Sequence, residues 1–175
     1  MGRALQKFGI ESVFDLWRIM LKDNDFIFKL IDEITVGLTE LFRNPTLWTF
    51  LKKEFDKKYT SAPALNIWHA GCSTGEEVYT MAIVLHEAGL LPKAKLWATD
   101  LSGQAIKIAE EGIFVEDMFT TYAKNYTHYA PEKDLKQYFF RQEEGKHWQV
   151  FKALKNNLVF ETHNLTKDEA TGKYS

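Results

Sequence analysis

Hydrophobic and polar positions follow two different rhythms along this chain, and the change falls near residue 60. Over residues 11–34 apolar side chains recur at helical spacing. Phe14, Trp17 and Leu21 mark one face of a first short amphipathic helix, and Phe26, Leu30, Ile31 and Ile34 that of a second. Lys22-Asp23-Asn24-Asp25 supplies the turn and cap between them. A third helix is predicted from Pro45, with Asn44 as its N-cap and Trp48, Leu51 and Phe55 facing inward. The polar stretch Tyr59-Thr60-Ser61-Ala62-Pro63 then breaks the period. The predicted division is a small helical subdomain over 1–60 and a second domain over 61–175.

Beyond the break, short apolar strands alternate with helices. Leu65 to Ala70 is predicted as a strand and Gly71-Cys72-Ser73-Thr74-Gly75 as a tight turn. A helix follows, carrying Val78, Met81, Ala82 and Leu85 on one side and ended by Gly89 and Pro92. Lys95 to Asp100 forms a second strand that closes on an acid. Ser102 caps a helix through Ala105, Ile108 and Ala109 that stops at Gly112. Residues 113–130 carry no clear period and are expected to be irregular, with a short helix opening at Pro131 and running to about Tyr138. Phe139 to Gln142 and His147 to Val150 flank Glu143-Glu144-Gly145-Lys146 as a hairpin, and Leu158 to Thr162 is a third core strand. Strand, helix, strand, helix in this order predicts an α/β fold with a parallel sheet.

Composition narrows the function classes. The 175 residues are 45% hydrophobic and 14% aromatic, enough for a packed core and too apolar for disorder. The formal net charge is −2, with Lys and Arg dispersed, so no basic stripe suggests nucleic acid and no polybasic cluster an anionic membrane. No apolar run approaches the roughly 20 residues of a membrane span. The opening residues lack the pattern of a secretory signal, so a cytoplasmic location is expected. Cys72 is the only cysteine, and the five histidines show neither helical metal-pair spacing nor cysteine partners, so no metal site is expected.

The first candidate site is the turn from Gly71 to Gly75, followed by Glu76 and Glu77. Glycine lets the backbone approach a ligand closely, and ligands of open parallel sheets sit beyond the carboxyl ends of the strands. A phosphate-binding turn would carry Lys and Ser or Thr after its second glycine, and a dinucleotide turn Gly-x-Gly-x-x-Gly; this turn has neither. Two carboxylates there would repel phosphate yet hold an ammonium, which points to S-adenosylmethionine, a ligand with an ammonium, a sulfonium and no phosphate. The plainer reading of both acids is compensation of the helix dipole. Asp100, at the end of the second strand, is placed to accept ribose hydroxyls, its plainer role being an N-cap.

The string Ile67-Trp68-His69-Ala70-Gly71-Cys72-Ser73-Thr74-Gly75-Glu76-Glu77-Val78-Tyr79-Thr80 resembles the signature of the CheR-type methyltransferases. So do Ala98-Thr99-Asp100, the upstream Leu38-Thr39-Glu40-Leu41-Phe42-Arg43-Asn44-Pro45, and the downstream Val159-Phe160-Glu161-Thr162-His163-Asn164-Leu165. The resemblance implies a Rossmann-like class I methyltransferase sheet, here partial, behind a small helical N-terminal subdomain. It implies S-adenosylmethionine as cofactor and S-adenosylhomocysteine as product. Thr39, Arg43 and Glu77 would hold the methionine end, with Gly71 in the turn, Asp100 at the ribose, and Asn164 with Leu165 at the adenine. The implied reaction is methylation of a glutamate side chain on the cytoplasmic part of a chemotaxis receptor or on another glutamate-bearing protein.

A carboxylate with a pKa of about 4.3 is already ionised at neutral pH, so this displacement requires positioning groups and no strong base. Arg43 is the candidate catalytic residue; it either orients the incoming carboxylate or clamps the cofactor's own, and an ordinary surface ion pair is its plainer role. Phe42 lies near enough in sequence to face the sulfonium, with a core position as the plainer expectation. Asn164 has a plainer role as a turn residue. Cys72 is expected to pack, since no base adjoins it.

Three positions depart from the family pattern: Gly37 where Asn is common, Leu41 in place of a Phe, and Val78 where Pro is usual. The pattern also continues into a strand ending Arg-Asn that is not present, so the chain is expected to be a fragment or a short member. With three core strands, the glycine-bearing strand would have one open edge, expected to be covered by a second copy, an exchanged element or a separate polypeptide. Competing expectations are a sensor or scaffold that binds the cofactor without turnover, and an interaction domain with a vestigial pocket.

Overall fold

The computed structural model describes residues 6–23, 26, 27, 29, 30, 39–142, 146–166 and 168. The chain divides into two compact units, Met1–Leu38 and Thr39–Ser175.

In the first unit, helix α1 spans Val13–Lys22, and the Ser12 hydroxyl caps it by accepting the Asp15 N–H at 3.1 Å. Its small core joins Ile10, Leu16, Phe26 and Leu30, with Ile19 and Met20 packed against it. The stripe read from the sequence lies elsewhere: Phe14, Trp17 and Leu21 are 71%, 58% and 69% exposed. This short helix carries apolar residues nearly all round, and Leu16, Ile19 and Met20 sit at the same i, i+3, i+4 spacing as any inward face. Periodicity alone could not choose between the two stripes. Asn24, Asp25, Ile31, Ile34 and Gly37 lie outside the described residues.

In the second unit, α2 spans Pro45–Lys58. It begins where proline is favoured, but Asn44 caps nothing with its side chain and stands instead in the left-handed region at φ 56°. Trp48 of α2 is buried with Leu41 and Phe42 in the main core, so this helix packs with the α/β part, and the compact division falls before it instead of at Tyr59–Pro63.

Strand β1, Leu65–Ala70, pairs in parallel with β2, Ala94–Asp100. On the other side of β2 lies β6, Leu158–Thr162, also parallel. The register sets Ala70 beside Thr99 and Asp100 beside Thr162, so all three strands finish at one edge of the sheet. Among the described residues, the outer edge of β1 pairs with no strand. Helix α3, Glu76–Glu87, joins β1 to β2 and buries nearly every residue from Val78 to Leu85 together with Leu65, Leu96 and Ala98. A helix apolar on all sides is stable only in such a core position. Helix α4, Gly103–Glu111, is capped by Ser102, whose hydroxyl accepts the Ala105 N–H at 3.0 Å; it buries Ile106 and Ala109 and leaves Ile108 exposed.

The segment expected to be irregular is strand β3, Ile113–Val115, and helix α5, Glu116–Tyr129. Phe119, Tyr122, Tyr126 and Tyr129 form its buried face. Tyrosine and threonine are weak helix formers, and the apolar period is hidden because three of these four residues carry hydroxyls. Those hydroxyls find partners, which is what makes the burial stable. No α-helix opens at Pro131; the chain makes a 3₁₀ turn at Leu135–Tyr138, capped by Asp134. The hairpin forms as expected from β4, Phe139–Arg141, and β5, His147–Val150, and β3 adds to β5 antiparallel. A single helical turn, α6, Lys152–Lys155, leads into β6. Residues 143–145 of the hairpin loop lie outside the described residues.

One carboxylate fastens α5 to α3. Glu87, with its side chain 3% exposed, accepts hydroxyls from Tyr126 at 2.7 Å, Tyr138 at 2.8 Å and Tyr129 at 2.9 Å, and pairs with Lys133 at 3.0 Å. Burial opposes its charge, but the three hydroxyls and the ammonium outweigh that, and its pKa lies below the ordinary value. Glu87→Gln is expected to lower unfolding stability by about 3 kcal/mol at neutral pH, since it uncharges one side of a buried network. A depressed carboxylate stabilises fully above its unfolded pKa of about 4.3 and loses that contribution as pH falls through the folded value. Urea titrations of wild type and variant should therefore converge as the medium becomes acid.

Candidate functional site

The turn after β1 is clamped to β2. The N–H groups of Gly71 and Cys72 both donate to the Thr99 carbonyl, at 2.8 and 2.9 Å. The turn needs three left-handed residues, Gly71 at φ 87°, Ser73 at φ 49° and Gly75 at φ 92°. At Gly75 a side chain is excluded on two grounds: the positive φ, and a Cβ that would lie 2.9 Å from the Ala109 Cβ. Gly75 also opens α3 with no side-chain cap, which leaves the helix N-terminus facing the turn.

Asp100 governs this corner. Its Oδ2 accepts the Ser73 N–H at 2.8 Å and its Oδ1 the Ser102 N–H at 2.9 Å, so one side chain ties together the loops that leave β1 and β2. Each oxygen keeps a further lone pair for a hydroxyl. The N-cap of α4 is Ser102, so Asp100 is not spent on that role. The Asp100 carbonyl accepts the His163 N–H at 2.9 Å, which brings Asn164 and Leu165 to the same edge of the sheet. Asn164 forms a turn of its own, its Oδ1 accepting from the Thr166 N–H at 3.0 Å and hydroxyl at 2.8 Å, and Leu165 is exposed.

Residues 39–44 pack against α3 and α5. The Phe42 N–H donates to the Thr80 hydroxyl at 3.0 Å, Asn125 donates to the Glu40 carboxylate and the Leu41 carbonyl at 3.1 Å each, and the Trp48 indole donates to the Arg43 carbonyl at 2.8 Å. Phe42 is fully buried among Trp48, Tyr126 and Tyr129, a core position, at a φ of 54°. A bulky residue in the left-handed region costs about 1–2 kcal/mol. Here the strained turn sends Leu41 and Phe42 inward and leaves Arg43 exposed.

The two acids at the start of α3 take opposite directions. Glu76 is buried and accepts hydroxyls from Thr74 at 2.6 Å and Tyr122 at 3.1 Å, together with a hydrogen bond from the Thr39 side chain. Burial raises its pKa above the ordinary carboxylate value, and those hydrogen bonds only partly offset the effect. Glu77 has a side chain 63% exposed and faces His69, whose Nδ1 lies 3.0 Å from its Oε1; this hydrogen bond lowers its pKa. The buried Cys72 thiol is pushed up to about 12, by burial first and then by the negative field of Asp100, Glu77 and Glu76. A thiol held so high is no ready nucleophile, and by geometry the Asp100 carboxylate bonds the turn at Ser73 and the Glu76 carboxylate at Thr74.

The sheet edge thus gathers Gly71, Asp100, Asn164 and Leu165 with the start of α3, and Thr39 joins them through Glu76. Arg43 lies on the Thr39 segment at the surface. Tyr122 and His69 escaped the sequence reading: the first lay in a stretch that carried no visible period, and the second was a lone histidine in a strand. A glycine turn bearing acids and no Lys or Arg favours a cation.

Residues 37–174 match the family described as CheR methyltransferase, SAM binding domain. A putative methyltransferase, Cher3, of Pseudomonas putida is 31% identical over 165 residues, covering 94% of this chain and 60% of the relative. Chemotaxis protein methyltransferases of Borreliella burgdorferi and Listeria innocua are 31% and 26% identical, over 82% and 96% of this chain and 51% and 63% of their own lengths. The chain spans less than two thirds of each of these three relatives. A match running from the Thr39 segment through the glycine turn and Asp100 to the Asn164 turn settles the assignment: the chain belongs to the CheR methyltransferase family, in its S-adenosylmethionine-binding domain.

Proposed function

We propose that the protein of which this domain is part transfers a methyl group from S-adenosylmethionine to glutamate side chains of a chemotaxis receptor. What carries the reading is the placement of three carboxylates about the turn from Gly71 to Gly75, Asp100 bonded to Ser73, Glu76 to Thr74 and Glu77 to His69, in a domain whose family binds this cofactor. The donor set suits a ligand with two cationic centres and a ribose, and its carboxylates would repel a phosphate.

In this reading Asp100 receives the ribose hydroxyls through its free lone pairs, and the Gly71 backbone lies against the ligand. Asn164 and Leu165 border the adenine. The methionine end falls to Thr39, Arg43 and the paired acids. Of these acids, the hydrogen bond to Thr39 favours Glu76 as the ammonium acceptor, with the His69-bound Glu77 as a second negative charge. The bound cofactor supplies a methyl group made electrophilic by its sulfonium. Arg43, exposed and always charged, guides the receptor carboxylate, which attacks already ionised.

Isothermal titration with S-adenosylhomocysteine is expected to show binding that Glu76→Gln weakens about a hundredfold and Glu77→Gln about tenfold, as a buried charged contact should exceed a half-solvated one. Only the ionised Glu76 accepts an ammonium, so wild-type affinity should fall with pH, starting above the range of an ordinary carboxylate, and Glu76→Gln should abolish that dependence. Equal losses at the two positions would return the ammonium contact to Glu77.

Incubation of the chain, extended to the full length of its relatives, with radiolabelled cofactor and a receptor cytoplasmic fragment is expected to yield base-labile methyl ester, strongly reduced by Arg43→Ala. Tight cofactor binding without any ester would favour a sensor role. We also propose that the free edge of β1 is covered in the assembled protein by a second copy, an exchanged element or a further polypeptide. A monodisperse monomer of this chain in sedimentation, with the β1 amides exchanging freely, would refute cover by a second copy or an exchanged element.

A further inference from the structure

His69 combines two facts that an ordinary core residue would not. Its side chain is 5% exposed, yet its Nε2 is buried without a hydrogen-bond partner among the described residues. Its Nδ1 meets Glu77 Oε1 at 3.0 Å, across from the last turn of β1 to the first turn of α3. An ionised carboxylate only accepts, so Nδ1 carries the hydrogen and Nε2 is the orphan. A leucine or phenylalanine would fill this position with no orphaned nitrogen. The remaining use of an imidazole there is its bond to Glu77.

The location gives that bond a consequence. His69 stands two residues before Gly71, and Glu77 two after Gly75, so the pair brackets the turn. Glu77 is largely solvent-exposed, and an exposed glutamate at a helix start otherwise samples several rotamers. The Cys72 thiol in the middle of the turn feels the Glu77 charge.

We propose that His69 is a positioning residue that holds the Glu77 carboxylate beside the glycine turn, so that the turn presents a second fixed negative charge to the cationic amino-acid end of its ligand. This rests on the reading of the turn as the cofactor's methionine-end site. His69 acts through Glu77 and touches no reacting atom.

A double-mutant cycle read by titration with S-adenosylhomocysteine, well below the unfolding temperature, separates this role from a plain clip between β1 and α3. His69→Leu and Glu77→Gln are each expected to weaken binding about tenfold, and the double variant to be no weaker than Glu77→Gln alone. His69→Asn, which keeps a donor where Nδ1 stands, should bind within about twofold of wild type, and His69→Gln, which reaches the Nε2 position, should not. Unchanged affinity in folded His69→Leu, or losses that simply add, would overturn the proposal. Nitrogen-15 spectra of the wild-type ring provide a test that needs no variant: the proposal requires the hydrogen on Nδ1, and a ring with bare Nδ1 and protonated Nε2 would refute it. Failure of the wild type to bind S-adenosylhomocysteine at all would count against the cofactor reading, while the ring spectrum would still decide the His69–Glu77 bond.

Discussion

Asp100 is the joint on which the candidate site depends. Its side chain bonds the loops after β1 and β2, and its backbone carbonyl bonds the residue after β6. That arrangement exists only because the three strands run parallel in a register that ends them together. Parallel pairing brings the carboxyl ends of strands far apart in sequence to one edge, where the loops and the last residues of the strands carry the chemistry. A slip of one residue in β2 would turn Asp100 to the other face and detach the glycine turn at once. The site is therefore a consequence of sheet register before it is a consequence of any motif.

A second set of bonds ties the helices to that edge. The tyrosines of α5 reach two different carboxylates of α3: Tyr122 bonds Glu76 at its start, and Tyr126 and Tyr129 bond Glu87 at its end. The same helix holds the Glu40–Leu41 segment through Asn125. Thr39, Glu76 and the turn are thus fixed relative to one another with the help of a single helix. Burying two acids costs solvation, which the hydroxyl donors and Lys133 outweigh at Glu87 and the hydroxyl donors offset only in part at Glu76.

Much of this was legible in the chain. The strands β1, β2 and β6 follow from short apolar runs bounded by turn residues, and the glycine turn with its paired acids already excluded phosphate ligands. What was hidden has identifiable causes. Helix α5 was missed because Tyr122, Tyr126 and Tyr129 are polar by composition but apolar by surface, so their period vanishes when hydroxyl residues are counted as polar. The face of α1 was ambiguous because two stripes of equal spacing compete on ten residues. The helix from Pro45 was grouped with the N-terminal helices because a polar break follows it, whereas burial of Trp48 beside Phe42 decides its allegiance. At the site, sequence named both acids but could not tell their directions, since adjacent helical residues differ by about 100° and only the third dimension shows which one meets Thr39.

The opposed environments of those two acids explain why a helix should begin with a pair. Glu76 is buried, and burial holds its pKa above the ordinary carboxylate value against the pull of its hydroxyl partners. Glu77 is solvated and held below that value, so it is charged whether or not a ligand is present. In the proposed reading, a ligand with an ammonium meets the exposed charge of Glu77 first and the buried carboxylate of Glu76 second. A single exposed glutamate would attract any cation weakly, and a single buried one would offer no charge at the mouth of the site. Two adjacent acids in different dielectric surroundings give both attraction and selectivity within one turn of α3.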